Sequence, residues 1–166
     1  MKNLILSITA LFITLTVSSQ TIVDAAASNK DFSTLVTALK AADLVGALSG
    51  EGPFTVFAPN NDAFGKIDSE TLGSLLKPEN VEALTNILTY HVVSGKLMAS
   101  DVTKALKDGY GRVKLTALNG QTFVARSKGG KIFLKDQNGD MSEVIATDVV
   151  GTNGVIHVID SVIMPE

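Results

Sequence analysis

The chain holds two histidines, His91 and His157, and no cysteine. Thiolate nucleophiles, disulfides and cysteine-ligated metals are therefore excluded. Both histidines sit in apolar, strand-like runs, Tyr90-His91-Val92-Val93 and Val155-Ile156-His157-Val158-Ile159. Two imidazoles without a carboxylate in reach make a poor metal site. The expectation is that each ring is buried and hydrogen-bonded, with Asp62 or Thr55 as the candidate partner of His91. Asp136-Gln137-Asn138-Gly139-Asp140 has oxygens at alternate positions, as a calcium loop does. But Met141 stands where such a loop needs glycine, and Thr147 where it needs glutamate. It reads as a hairpin turn, with Asp136, Asp140 and Glu143 as an exposed acidic cluster. Gly95-Lys96 lacks the flanking residues of a phosphate loop, and Ser49 falls one place late for a nucleophile elbow. With no catalytic constellation and no ligand set, neither an enzyme nor a cofactor is expected.

The elements that must carry these residues change character halfway along. Phe32, Leu35, Val36, Leu39 and Ala42 recur at helical spacing, with Asp31 as the expected N-cap. Phe54 to Ala58 reads as a short buried strand ended by Pro59, after which Asn60 caps a short helix carrying Ala63 and Phe64. Pro78 opens another helix, whose apolar face is Val81, Leu84, Ile87 and Leu88. Beyond residue 112 the period falls to two. Val113-Leu115-Ala117, Thr122-Phe123-Val124, Ile132-Phe133-Leu134, Val144 to Val150 and Val155 to Met164 read as strands. Asn119-Gly120, Gly129-Gly130, Asn138-Gly139 and Asn153-Gly154 supply the turns between them. Helices followed by an antiparallel meander make an α+β fold.

Lys2 followed by the uncharged run Leu4 to Val17 and the small residues Ser18-Ser19 has the layout of a signal peptide, with cleavage after Ser19. Residues 20–166 then form one expected domain, long enough to bury a core without staples. The formal charge of −3 becomes −4 once Lys2 is removed. That balance argues against nucleic acid or an anionic membrane as the main partner, and the absence of Trp and the few aromatics argue against a platform that stacks sugars or bases. No later apolar stretch is long enough for membrane insertion of the mature chain. Neither Arg-Gly-Asp nor Asn-x-Ser/Thr occurs.

Three ordered segments carry a resemblance to a known family. Thr55-Val56-Phe57-Ala58-Pro59-Asn60-Asn61-Asp62-Ala63-Phe64 and Asn153-Gly154-Val155-Ile156-His157-Val158-Ile159-Asp160 resemble the two signature boxes of the fasciclin domain, and Tyr90-His91 falls where that family has its Tyr-His motif. The resemblance implies a wedge of antiparallel strands with an N-terminal set of short helices packed along it. It marks Thr55, Phe57, Pro59, Asn60, Asp62, Phe64, Asn153, Gly154 and His157 as structural residues of the boxes. It also implies a secreted protein, extracellular, surface-held or periplasmic, that works by adhesion or protein–protein contact without catalysis. Its partner would be a cell-surface or matrix protein or a polysaccharide, with self-association as a route to multivalency. The interaction residues implied are Asp148 and Val149, ahead of the second box, and Tyr90 and His91. Here Ala146-Thr147 replaces the family's usual pair before that Asp, which weakens the case for integrin as the partner. The alternative function is a soluble binder of a small molecule or polysaccharide, with a cleft between helices and sheet.

Overall fold

The structure is a computed structural model that describes residues 20–166. The expected signal peptide lies outside the described residues. Helix α1 (Ile22–Ser28) opens on a capping box between Thr21 and Asp24. A short 3-10 turn (Lys30–Phe32) leads into α2 (Ser33–Ala41), and α3 (Val45–Ser49) follows. The cap of this region is Asn29 rather than Asp31, because the Asn29 carboxamide takes the Asp31 N–H and leaves Asp31 inside the first turn. Then come β1 (Phe54–Pro59), α4 (Asn61–Gly65), α5 (Ser69–Leu75), α6 (Val81–Tyr90) and β2 (Val92–Ser94). Helix α7 (Ala99–Asp108) precedes the meander β3 (Arg112–Thr116), β4 (Thr122–Lys128), β5 (Lys131–Lys135), β6 (Met141–Gly151) and β7 (Gly154–Ile159).

The seven strands run in the order β2-β1-β7-β6-β5-β4-β3. Every pairing is antiparallel except β1 with β7, which is parallel, with Thr55 beside Val155 and Phe57 beside His157. The two signature boxes, nearly a hundred residues apart, are thus adjacent strands. The outer strands also meet: Val93 bridges to Ala117, and the Leu118 N–H donates to the Val92 carbonyl at 2.8 Å. The sheet closes almost into a barrel.

Alternation along β1 sends side chains into two cores. Val56 and Ala58 join Ile156, Leu35, Leu39, Leu84 and Leu88 under the helices. Phe57 faces the other way, edge-on to Phe123 at 5.5 Å, in a core with Tyr90, Leu134, Ile159 and Ile163 that Val102 and Leu106 of α7 cover. Gly129-Gly130 makes the expected two-residue turn, both residues at positive φ between paired Lys128 and Lys131. At Asn119-Gly120 the turn is one residue longer, because the Ala117 N–H donates to the Gln121 carbonyl and Asn119 takes the Gln121 N–H.

Candidate interaction site

The signature residues tie elements together through hydrogen bonds. The Asn60 carboxamide oxygen takes the Ala63 N–H at 2.8 Å, capping α4, while Phe64 fills the helix-side core and Asp62 is exposed in the first turn. Pro59 ends β1, and the next N–H, that of Asn60, donates to the Ile159 carbonyl. Asn61 belongs to the first signature box, but its role has no local signal. It accepts the Thr34 N–H and donates to the Lys30 carbonyl, fastening α4 to α2. Asn153 has three partners: its oxygen takes the Ile22 N–H at 2.9 Å, and its amide donates to the Leu48 and Gly50 carbonyls at 2.8 and 2.9 Å. Beside it, Gly154 is fixed by close approach, since a Cβ there would run into the Phe54 carbonyl oxygen of β1.

A second set of bonds runs through Thr55 and His157. The Thr55 hydroxyl donates to the Gly95 carbonyl at 2.6 Å and accepts the Leu97 N–H at 2.8 Å. The buried His157 ring donates from Nε2 to the Leu97 carbonyl at 2.6 Å and accepts the Asp148 N–H at Nδ1. The Asp148 carboxylate accepts the Ala99 N–H at 2.8 Å, the first N–H of α7. Strands β1, β6 and β7 and the start of α7 are thus held by one polar chain. Asp148 has φ 61, a left-handed conformation that Asp tolerates better than most side chains. Its type is explained by this conformation and by the helix it caps. Asp148→Ala is expected to cost about 1 kcal/mol, the usual loss for a cap, lowering the melting temperature by about 2–4 °C. Asp148→Asn should melt like the parent.

The expected interaction residues separate into two environments. Tyr90 is fully buried and donates to the Thr122 carbonyl, and burial together with the Asp136 carboxylate pushes its phenol up to about 12. His91 is 2 % exposed. Its Nδ1 donates to the Ile87 carbonyl at 2.8 Å and its Nε2 accepts the Ile163 N–H at 3.1 Å, so its partners are backbone groups and neither Asp62 nor Thr55. No partner protein can touch either ring in this fold. Asp136 is likewise buried rather than exposed: it takes the Asp140 and Met164 N–H groups, closing its own turn and pinning the C-terminal segment.

Asp148 and Val149, by contrast, are at the surface. Strand β5 pairs only with Met141, Ser142 and Glu143 of β6, so β6 has no strand partner on that side from Val144 onward. Two register shifts against β7 bulge the segment. Ile145, Val149 and Val150 are 49 %, 38 % and 52 % exposed. Three large apolar side chains are thus exposed along a bulged strand segment. Two cavities in the interior, one lined by Phe57, Val102 and Val144 and the other by Ile22, Leu35 and Ile156, have volumes of about 10 Å³ each, too small for a ligand.

Comparison with known proteins agrees with this architecture. The chain is 50% identical over 148 residues to Protein sll1483 of Synechocystis sp., covering 89% of this chain and 75% of that one. It is 34% identical over 146 residues to the immunogenic protein MPB70 of Mycobacterium bovis, covering 85% and 67%. Human periostin is 36% identical over 141 residues, 82% of this chain but 15% of periostin. A solved FAS1 domain pair from the insect cell adhesion molecule Fasciclin I superposes with a TM-score of 0.76 at 21% identity, covering 87% of this chain and 51% of that one. Among the described residues no helix is long and apolar enough to cross a membrane. The model of the fasciclin domain matches residues 30–165, and the chain belongs to the fasciclin domain family.

Proposed function

We propose that the chain is an exported, non-catalytic adhesion module that docks a cell-surface or matrix protein on the bulged segment from Ile145 to Val150. The observation that carries this reading is the exposure of Ile145, Val149 and Val150 on a strand segment anchored by Asp148. Such a patch can form the apolar centre of a modest interface, and rigid anchoring lowers the ordering cost of binding. Both histidine rings have both nitrogens engaged by backbone groups, which leaves neither free as a general base. Affinity from one small patch is low, so tethering or self-association would supply avidity.

The test is retention of cells and extracellular matrix on beads coated with the protein. Val149→Ser/Val150→Ser should lose most of the retention while melting within a few degrees of the parent. Asp148→Asn, which preserves the cap and removes the charge, reports whether the carboxylate itself is read. Equal retention by the serine variant would move the contact elsewhere and sink this assignment.

A further inference from the structure

The net charge of −3 conceals a sharp segregation. Residues 112–135 contain Arg112, Lys114, Arg126, Lys128, Lys131 and Lys135 and not one acid. Six positive charges therefore sit on β3, β4 and β5, and the rest of the chain carries a net −9 (−3 less +6). Alternation puts Val113, Leu115, Phe123, Ala125 and Leu134 in the core and turns the cations to the outer face. Along a strand these side chains recur about every 7 Å and between strands about every 5 Å. The only arginines in the chain, Arg112 and Arg126, are directly opposed across β3 and β4. Like charges in that position destabilise a sheet. The acid paired on this face is Glu143, held by Lys131 at 2.7 Å, while Asp136 is occupied by backbone N–H groups.

Tyr110 stands beside the arginines, 96 % exposed, at φ 54 as the left-handed residue that ends α7, where its N–H donates to the Lys107 carbonyl and the Gly111 N–H to the Leu106 carbonyl. With Arg112, Arg126, Ser127, Lys128 and Met141 it lines a surface groove of about 470 Å³. An exposed aromatic and an opposed arginine pair meet in one groove, and the like-charge pairing is a local cost. Costs of that kind concentrate at functional sites.

From this convergence we propose that the outer face of β3, β4 and β5 binds a linear acidic polysaccharide, with carboxylate or sulfate groups on Arg112 and Arg126 and a sugar ring against Tyr110. Guanidinium forks match carboxylate and sulfate oxygens in pairs. The spread of cations over three adjacent strands suits an extended chain. Val124 and Phe133, opposite Lys135 and Arg126 on this face, are half-buried rather than the exposed apolar ridge a membrane calls for, and single-stranded nucleic acid would call for several stacking rings. The face shares no cation with the Ile145–Val150 segment, so each site can be altered alone.

The test is binding of the purified protein to dextran sulfate and polygalacturonate, with neutral dextran, anionic phosphatidylglycerol vesicles and polyuridylate as comparators. The parent should bind both acidic polymers, more weakly as salt rises, and ignore dextran. Arg112→Gln/Arg126→Gln should weaken binding at least tenfold, and Tyr110→Gly several-fold. Arg126→Gln alone should keep or raise the melting temperature by about 1–3 °C, as removal of an opposed like charge predicts. Lys114→Gln/Lys128→Gln gives a second reading of the same face. Binding unchanged in both double variants, equal binding to dextran, or tighter binding to vesicles or polyuridylate overturns the proposal. Retention of cells by the glutamine variants would show that the Ile145–Val150 patch works independently.

Discussion

Asn153→Ala is expected to lower stability by about 2–4 kcal/mol, from roughly 1 kcal/mol for each of three lost hydrogen bonds plus the cost of groups left unpaired. One carboxamide serves the N-terminus of α1 and two carbonyls at the end of α3. Truncation strands the part-buried Ile22 N–H and Leu48 carbonyl at once, where α1 and α3 meet the turn into β7, while the exposed Gly50 carbonyl turns to water. For a domain of this size the melting temperature should fall by about 5–15 °C. Asn153→Asp separates hydrogen bonding from shape. It keeps the acceptor for Ile22 but aims a charged oxygen at the Leu48 and Gly50 carbonyls, so it should be at least as harmful at neutral pH. If the alanine variant melts within 2 °C of the parent, solvent replaces these bonds at no cost and the anchoring role of Asn153 is wrong.

Much of this arrangement was legible locally. Helical spacing in 32–42 and 81–88, the Asn60 cap and the Gly129-Gly130 turn each depend on neighbours within a few residues, whereas the turn expected at Asn153-Gly154 falls on Thr152-Asn153, with Gly154 already paired to Gly151 in β7. Helix α7 escaped because its face is thin: only Val102 and Leu106 are buried, in a stretch otherwise polar or charged. The parallel pairing of β1 with β7 has no local signal at all, since it depends on a crossover containing most of the chain. Within the candidate site, the box residues could be recognised by type, but Asp148 could not be seen as a helix cap because its partner Ala99 is 49 residues away. Tyr90 and His91 fitted a core and a contact equally well on paper, and only their burial decides between the two. The basic face was hidden by averaging, as a net charge near zero says nothing about where charges lie.

Acid should destabilise the fold well before carboxylates as a class are protonated, and His91 should be the cause. Burial pushes its imidazole down to about 4, against the 6.5 of an exposed histidine, and the bond to the Ile87 carbonyl only partly opposes this. The geometry gives the reason: the lone pair of Nε2 faces the Ile163 N–H, so a proton placed there would set donor against donor in the core. The unfolded chain takes up the proton at the ordinary value and the folded one does not. The contribution of neutral His91 is therefore complete above about pH 6.5 and lost as pH falls toward 4. A gap of that size corresponds to about 3 kcal/mol in full and about 2 kcal/mol between pH 7 and 5. Asp160 acts in a different window. Burial opposes its charge, but the Glu143 N–H, Lys66 and Ser161 hold its carboxyl below the usual range, so its contribution disappears only below about pH 4. Urea titrations at pH 7 and 5 on the parent and on His91→Gln isolate the histidine. The variant should be less stable at pH 7, because one amide cannot reach both backbone partners of the ring, yet lose about 2 kcal/mol less on acidification. An equal loss in parent and variant would show that His91 does not resist protonation in the folded protein, and the acid sensitivity would then belong to other groups.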